Sequence, residues 1–118
     1  MKNLGSAKSG VAPWIALRAL ALALIPSTIY MIVGFLSNVV GKDRETALLW
    51  LQSPISAAFC LITIVAGTRH FALGMQVVVE DYVHDENIRI PLMIAIRFFC
   101  LLMAAIGVLS LFKIFAGA

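Results

Sequence analysis

Two stretches of this chain run without a charged residue for as long as a bilayer crossing requires: Ala19 to Val40 and Thr46 to Thr68. A third, from Pro91 to about Phe115, is interrupted only by Arg97 and closed by Lys113. A helix that spans hydrocarbon needs roughly 20 mainly apolar residues, and a charge at that depth is costly. The pattern therefore predicts an all-α integral membrane protein with three transmembrane helices, over about 14–40, 46–79 and 91–115, in one domain covering 1–118. Composition agrees: 62% of the 118 residues are hydrophobic and 13% charged, against roughly 25% charged in a soluble domain. A soluble domain of this size would leave about 40% of its unfolded-chain surface in water. With a mean hydropathy of +1.01, much of that surface would be apolar. Three spans also leave little of these 118 residues for a separate soluble catalytic domain.

The spans are separated by polar segments. Gly41-Lys42-Asp43-Arg44-Glu45 is a charged turn, and Glu80 to Arg89 holds Glu80, Asp81, His84, Asp85, Glu86 and Arg89. Met1 to Gly10, polar and without apolar periodicity, reads as a mobile tail. A cleaved signal peptide ending near Ala21-Leu22-Ala23 is the competing reading, but the apolar run continues far past that point. Trp14 suits the interface, and Pro26 is expected to kink the first span. Counting Lys and Arg near the span ends places the amino terminus and second loop inside, the first loop and carboxyl terminus outside. Cys60 and Cys100 lie in apolar runs without metal-ligand spacing and read as small buried hydrophobes. A net charge of +3 suits basic residues that touch anionic headgroups, in a bacterial plasma membrane ahead of a mitochondrial inner membrane. No basic patch interleaves with aromatics, which sets nucleic acid aside as a partner and leaves membrane lipid.

Ionisable groups inside the spans each ask for a partner or a task. His70 has Ala66 and Gly67 one turn before it and Gly74 one turn after it, so its imidazole projects from a face without bulk. Such a face admits a flat macrocycle whose iron the imidazole ligates; it equally admits a closely packed helix, with His70 as hydrogen-bonding glue. His84 is 14 residues on, about 21 Å along a helix, so a second axial ligand would come from another chain. Asp81 follows His70 by three turns, about 16 Å, on the same side, with Tyr82 beside it. A phenol and a carboxylate at the boundary suit a quinone carbonyl, or else an aromatic-belt tyrosine beside a solvated acid. In a small transporter or channel subunit, the rival class, His70 and Arg69 would line a pathway.

The run His70-Phe71-Ala72-Leu73-Gly74-Met75-Gln76-Val77-Val78-Val79-Glu80-Asp81-Tyr82-Val83-His84 resembles the second-helix signature of the small cytochrome b anchor subunits of succinate dehydrogenase, respiratory complex II. The three-span plan, the charged first turn and Arg18 early in the first span agree with that family, although Leu20 and Ala21 stand where relatives often carry a small hydroxyl residue. The resemblance implies a helical bundle completed by a second cytochrome b anchor subunit, with an iron-sulfur subunit and a flavoprotein subunit as further partners. It implies that His70 is one axial ligand of a shared haem b, that Tyr82 hydrogen-bonds ubiquinone with Asp81 in support, and that Arg18 pairs with a haem propionate. Electrons from succinate would reach quinone through cofactors on the other chains, within the respiratory chain and the tricarboxylic acid cycle. His84, Arg69 and Arg97 remain open, each as suited to headgroups or a partner chain as to haem or quinone.

Overall fold

A computed structural model describes the backbone of residues 2–117 and side chains from Trp14 to Gly117; the stretch expected as a tail is helical from Lys2 to Gly10 and opens the first helix. Four helices follow one another: α1 (Lys2–Asn38), α2 (Arg44–Gln52), α3 (Pro54–Tyr82) and α4 (Glu86–Phe115). There is no strand among the described residues. Three segments are long and apolar enough to cross a membrane: Trp14–Asn38, Pro54–Tyr82 and Glu86–Phe115.

The second span differs from the single run over 46–79. Pro54 has no N–H to donate, and its ring disfavours the α conformation at Ser53, which is extended at φ −65°, ψ 134°. The apolar run is therefore cut into α2 and α3, and α3 continues through Asp81 to Tyr82. Asp43 caps α2 by accepting from the Thr46 N–H at 2.9 Å. Hydrogen bonding from the Thr46 side chain, and then from its N–H, holds the Asp43 carboxyl below the ordinary range, so the cap is intact above that range and is lost as acidification protonates Asp43. Gly41, at φ +71°, makes the left-handed turn that ends the first hairpin, a conformation open chiefly to glycine. α4 begins five residues before the expected start at Pro91, because Asp85 caps it by accepting from the Asn87 N–H at 3.0 Å.

α3 is the middle of the row. It packs against α1 on one side and α4 on the other, while α1 and α4 do not touch each other among the described residues. Tyr30 of α1 stacks on Phe59 of α3, centroids 4.5 Å apart. Its hydroxyl meets the Oγ of the buried Ser56 at 2.8 Å. Gly67 of α3 faces Leu24 of α1, which fixes their register. α2 folds back beneath: its Trp50 indole lies on Gly34, and the Gln52 amide donates to the Ile114 carbonyl of α4 at 3.2 Å. Ser27, beside Pro26, donates back to the Ala23 carbonyl at 2.9 Å and is 1% exposed.

Gly34 has no room for a side chain, since a Cβ there would collide with the Trp50 ring. Gly34→Leu should lower stability by roughly 1 to 3 kcal/mol or more, the range for overpacking. The measurement is the thermal unfolding midpoint of the solubilised protein, with Gly74→Ala as the control, because nothing lies within 4 Å of a Cβ at Gly74.

Candidate functional site

The helix that carries His70 is the one with neighbours on both sides, so its position is set by two packed interfaces rather than by a loop. The imidazole is half-buried, and its Nδ1 is buried without a hydrogen-bond partner. A buried nitrogen left unpaired costs about 1 to 3 kcal/mol. Because Nδ1 is covered by the chain itself while the ring is only half-buried, Nε2 is the nitrogen that a group from outside could reach. One turn further, the space over Gly74 is open. Ala66 and Ala72 are buried in the packed seams, so the small residues divide: some serve helix packing, and Gly74 leaves a vacant face beside the imidazole. An unpaired imidazole next to a flat, bulk-free strip suits axial ligation of a planar metallocycle. Among the described residues no cluster of three His, Cys, Asp or Glu could hold a bare metal ion.

Asp81 and Tyr82 end α3 on the side of the second loop, both exposed, Tyr82 at 79%. They lie about 16 to 18 Å along the axis from His70. The Tyr82 hydroxyl makes no hydrogen bond among the described residues, so it is free to donate to a carbonyl from outside the chain. The structure thus puts the two halves of the expected site on one helix but does not bring them into contact. Arg18 is on α1, and its guanidinium lies 4.2 Å from the centre of the Trp14 ring, a cation–π contact. The register set by Leu24 and Gly67 puts Arg18 toward the second-loop side of that level.

Gln76 was not singled out among the candidate residues. In the structure its Oε1 accepts from the Arg97 guanidinium of α4 at 3.1 Å, and its Nε2 donates to Glu80 at 3.3 Å. A polar ladder therefore descends from the loop acid into the α3–α4 seam. The available signal was an amide inside an apolar run, one turn before an acid and opposite a span that carries one arginine. In the first turn of α4 Arg89 pairs with Glu86 at 3.5 Å.

Comparison with known proteins places these residues in context. The family described as "Succinate dehydrogenase/Fumarate reductase transmembrane subunit" matches residues 2–104. A succinate dehydrogenase hydrophobic membrane anchor subunit of Rickettsia conorii is 36% identical over 112 residues, 94% of this chain and 88% of the relative. The succinate dehydrogenase membrane anchor subunit of Reclinomonas americana is 33% identical over 92 residues, 76% of this chain and 77% of its own. A hydrophobic membrane anchor subunit from Paracoccus denitrificans is 26% identical over 118 residues, 99% of this chain and 89% of the relative.

Proposed function

The chain belongs to the succinate dehydrogenase/fumarate reductase transmembrane subunit family, and we propose that it anchors a flavoprotein subunit and an iron-sulfur subunit to a bacterial plasma membrane. In this reading it is paired with a second cytochrome b anchor subunit, and together they bind haem b and ubiquinone. The observation that carries the proposal is His70: an imidazole on the central helix, its Nδ1 buried and unpartnered, beside the open strip at Gly74.

His70 would hold the haem b iron through an imidazole nitrogen, together with a ligand from the partner anchor subunit. When bound, haem b provides a one-electron redox centre within the membrane. Arg18 holds a haem propionate, exchanging its cation–π contact with Trp14 for a charge-assisted hydrogen bond. Tyr82 donates its hydroxyl proton in a hydrogen bond to a quinone carbonyl, and Asp81 orients the phenol and takes part in proton delivery from the adjacent water. The hard redox steps belong to cofactors on other chains; this chain contributes position and hydrogen bonding.

The arrangement requires Asp81 and Tyr82 to face the soluble subunits, so the Glu80 to Arg89 loop lies on the cytoplasmic side. A cysteine placed at Asn87, exposed at the start of α4, should react with an impermeant thiol reagent only after the cells are permeabilised. Labelling of intact cells from outside would contradict the reading.

A further inference from the structure

Arg69 of α3 and Arg97 of α4 were left without a task, yet they line the same groove, a cavity of about 330 Å³ between the two helices. Its other walls are apolar or small, including Val65, Ala72, Leu101 and Ala104. Both arginines are exposed to the outside of the chain, and Leu101 is 68% exposed, so the groove opens outward. Among the described residues neither guanidinium has a carboxylate within ion-pair distance; the one ion pair is that of Arg89 with Glu86. Glu80 is not part of the lining and is separated from Arg97 by the Gln76 amide, so the lining carries two cationic groups and no acid.

Depth gives the groove two ends. The Arg97 guanidinium is tied to Gln76, six residues and so about 9 Å from the end of α3 at Tyr82, near the membrane boundary. Val65 is about 16 Å deeper than Gln76 along α3, and Ala104 about 10 Å deeper than Arg97 along α4. Arg69 lines the same groove and is exposed, and a long cationic side chain at this depth can reach toward the polar boundary. The result is a pocket that is cationic toward the second-loop surface and apolar toward the bilayer centre.

We propose that this α3–α4 groove binds one anionic phospholipid of the leaflet on the second-loop side, its phosphate held by Arg69 and Arg97 and an acyl chain laid along Leu101 and Val65. A guanidinium matches phosphate oxygens in paired hydrogen bonds. Only an amphiphile fills both ends, and a lipid with net negative charge is preferred over a zwitterionic one because the site has no acid to pair with choline.

The test places a reporter in the groove and leaves both arginines in place. In the assembled complex carrying Leu101→Trp, reconstituted in phosphatidylcholine nanodiscs, brominated phosphatidylglycerol should half-quench the added fluorescence at roughly tenfold lower mole fraction than brominated phosphatidylcholine. Adding Arg69→Gln and Arg97→Gln together should remove that preference, and Arg69→Lys with Arg97→Lys should retain much of it. Equal quenching by the two lipids overturns the proposal. So does a preference that survives in the double glutamine variant. Displacement of phosphatidylglycerol by water-soluble glycerol phosphate would assign the groove to a free phosphate and also overturn it. If the glutamine variant instead loses haem absorbance while keeping the lipid preference, the arginines serve cofactor carboxylates and the proposal falls.

Discussion

His70→Ala should abolish or shift the low-spin b-type haem spectrum of the assembled complex while the chain still inserts in the membrane. The expected separation of the two effects follows from the structure. Among the described residues the imidazole has no hydrogen-bond partner, and its Nδ1 is buried. Removing it deletes an unsatisfied polar group and leaves the Tyr30–Phe59 stack, the Trp50–Gly34 contact and the α3–α4 seam untouched. Removing an axial nitrogen, by contrast, takes away a strong-field ligand that has no substitute nearby, since His84 lies 14 residues away on the second loop. Gly74→Leu offers an independent probe of the same face. Nothing lies within 4 Å of a Cβ at Gly74, so a loss of haem in that variant with membrane insertion kept would come from filling the cofactor's side. An unchanged low-spin spectrum in His70→Ala would end the ligand assignment.

Tyr82→Phe should lower quinone reductase activity by between severalfold and about a hundredfold while succinate oxidation with a soluble artificial acceptor is kept. The phenolic oxygen is all that the substitution removes. Tyr82 is 79% exposed and its hydroxyl has no partner among the described residues, so the ring loses no packing in the chain itself. A neutral hydrogen bond contributes about 0.5 to 1.5 kcal/mol, and up to about 3 when its acceptor gains charge, as a quinone does on reduction. At about 1.4 kcal/mol per factor of ten, that range gives the predicted loss. The artificial acceptor takes electrons upstream of the quinone, so its activity reports assembly. If neither activity changes, Tyr82 is an interface anchor, and the quinone contact belongs to a partner subunit.

The helices were legible because lipid imposes a simple demand: an uncharged run long enough to cross. Their joints were not, because a count of charges passes over Ser53 and Pro54, where an imino acid rather than a polar residue breaks the second run. The start of α4 was readable in principle, since Asp85 and Glu86 form a capping residue and an acidic first turn. His70 was legible from its small neighbours, yet spacing alone could not separate the glycine that packs from the one that faces open space. Gly67 meets Leu24 and Gly74 meets nothing, a distinction that depends on where α1 lies. The Arg97–Gln76 bond and the Tyr30–Ser56 pair were beyond the sequence for the same reason. Each depends on the register of two antiparallel helices, which is settled by side-chain fit along the whole seam.

The most direct test of the central claim is the reduced-minus-oxidised optical spectrum of the purified complex that contains this chain. The account predicts the sharp bands of a low-spin b-type haem, present in proportion to this subunit. A complex that contains the chain, passes electrons from succinate to quinone and shows no such bands would contradict the assignment of His70 as a haem ligand. A chain purified without flavoprotein or iron-sulfur partners and without haem would point instead to a membrane subunit of another class.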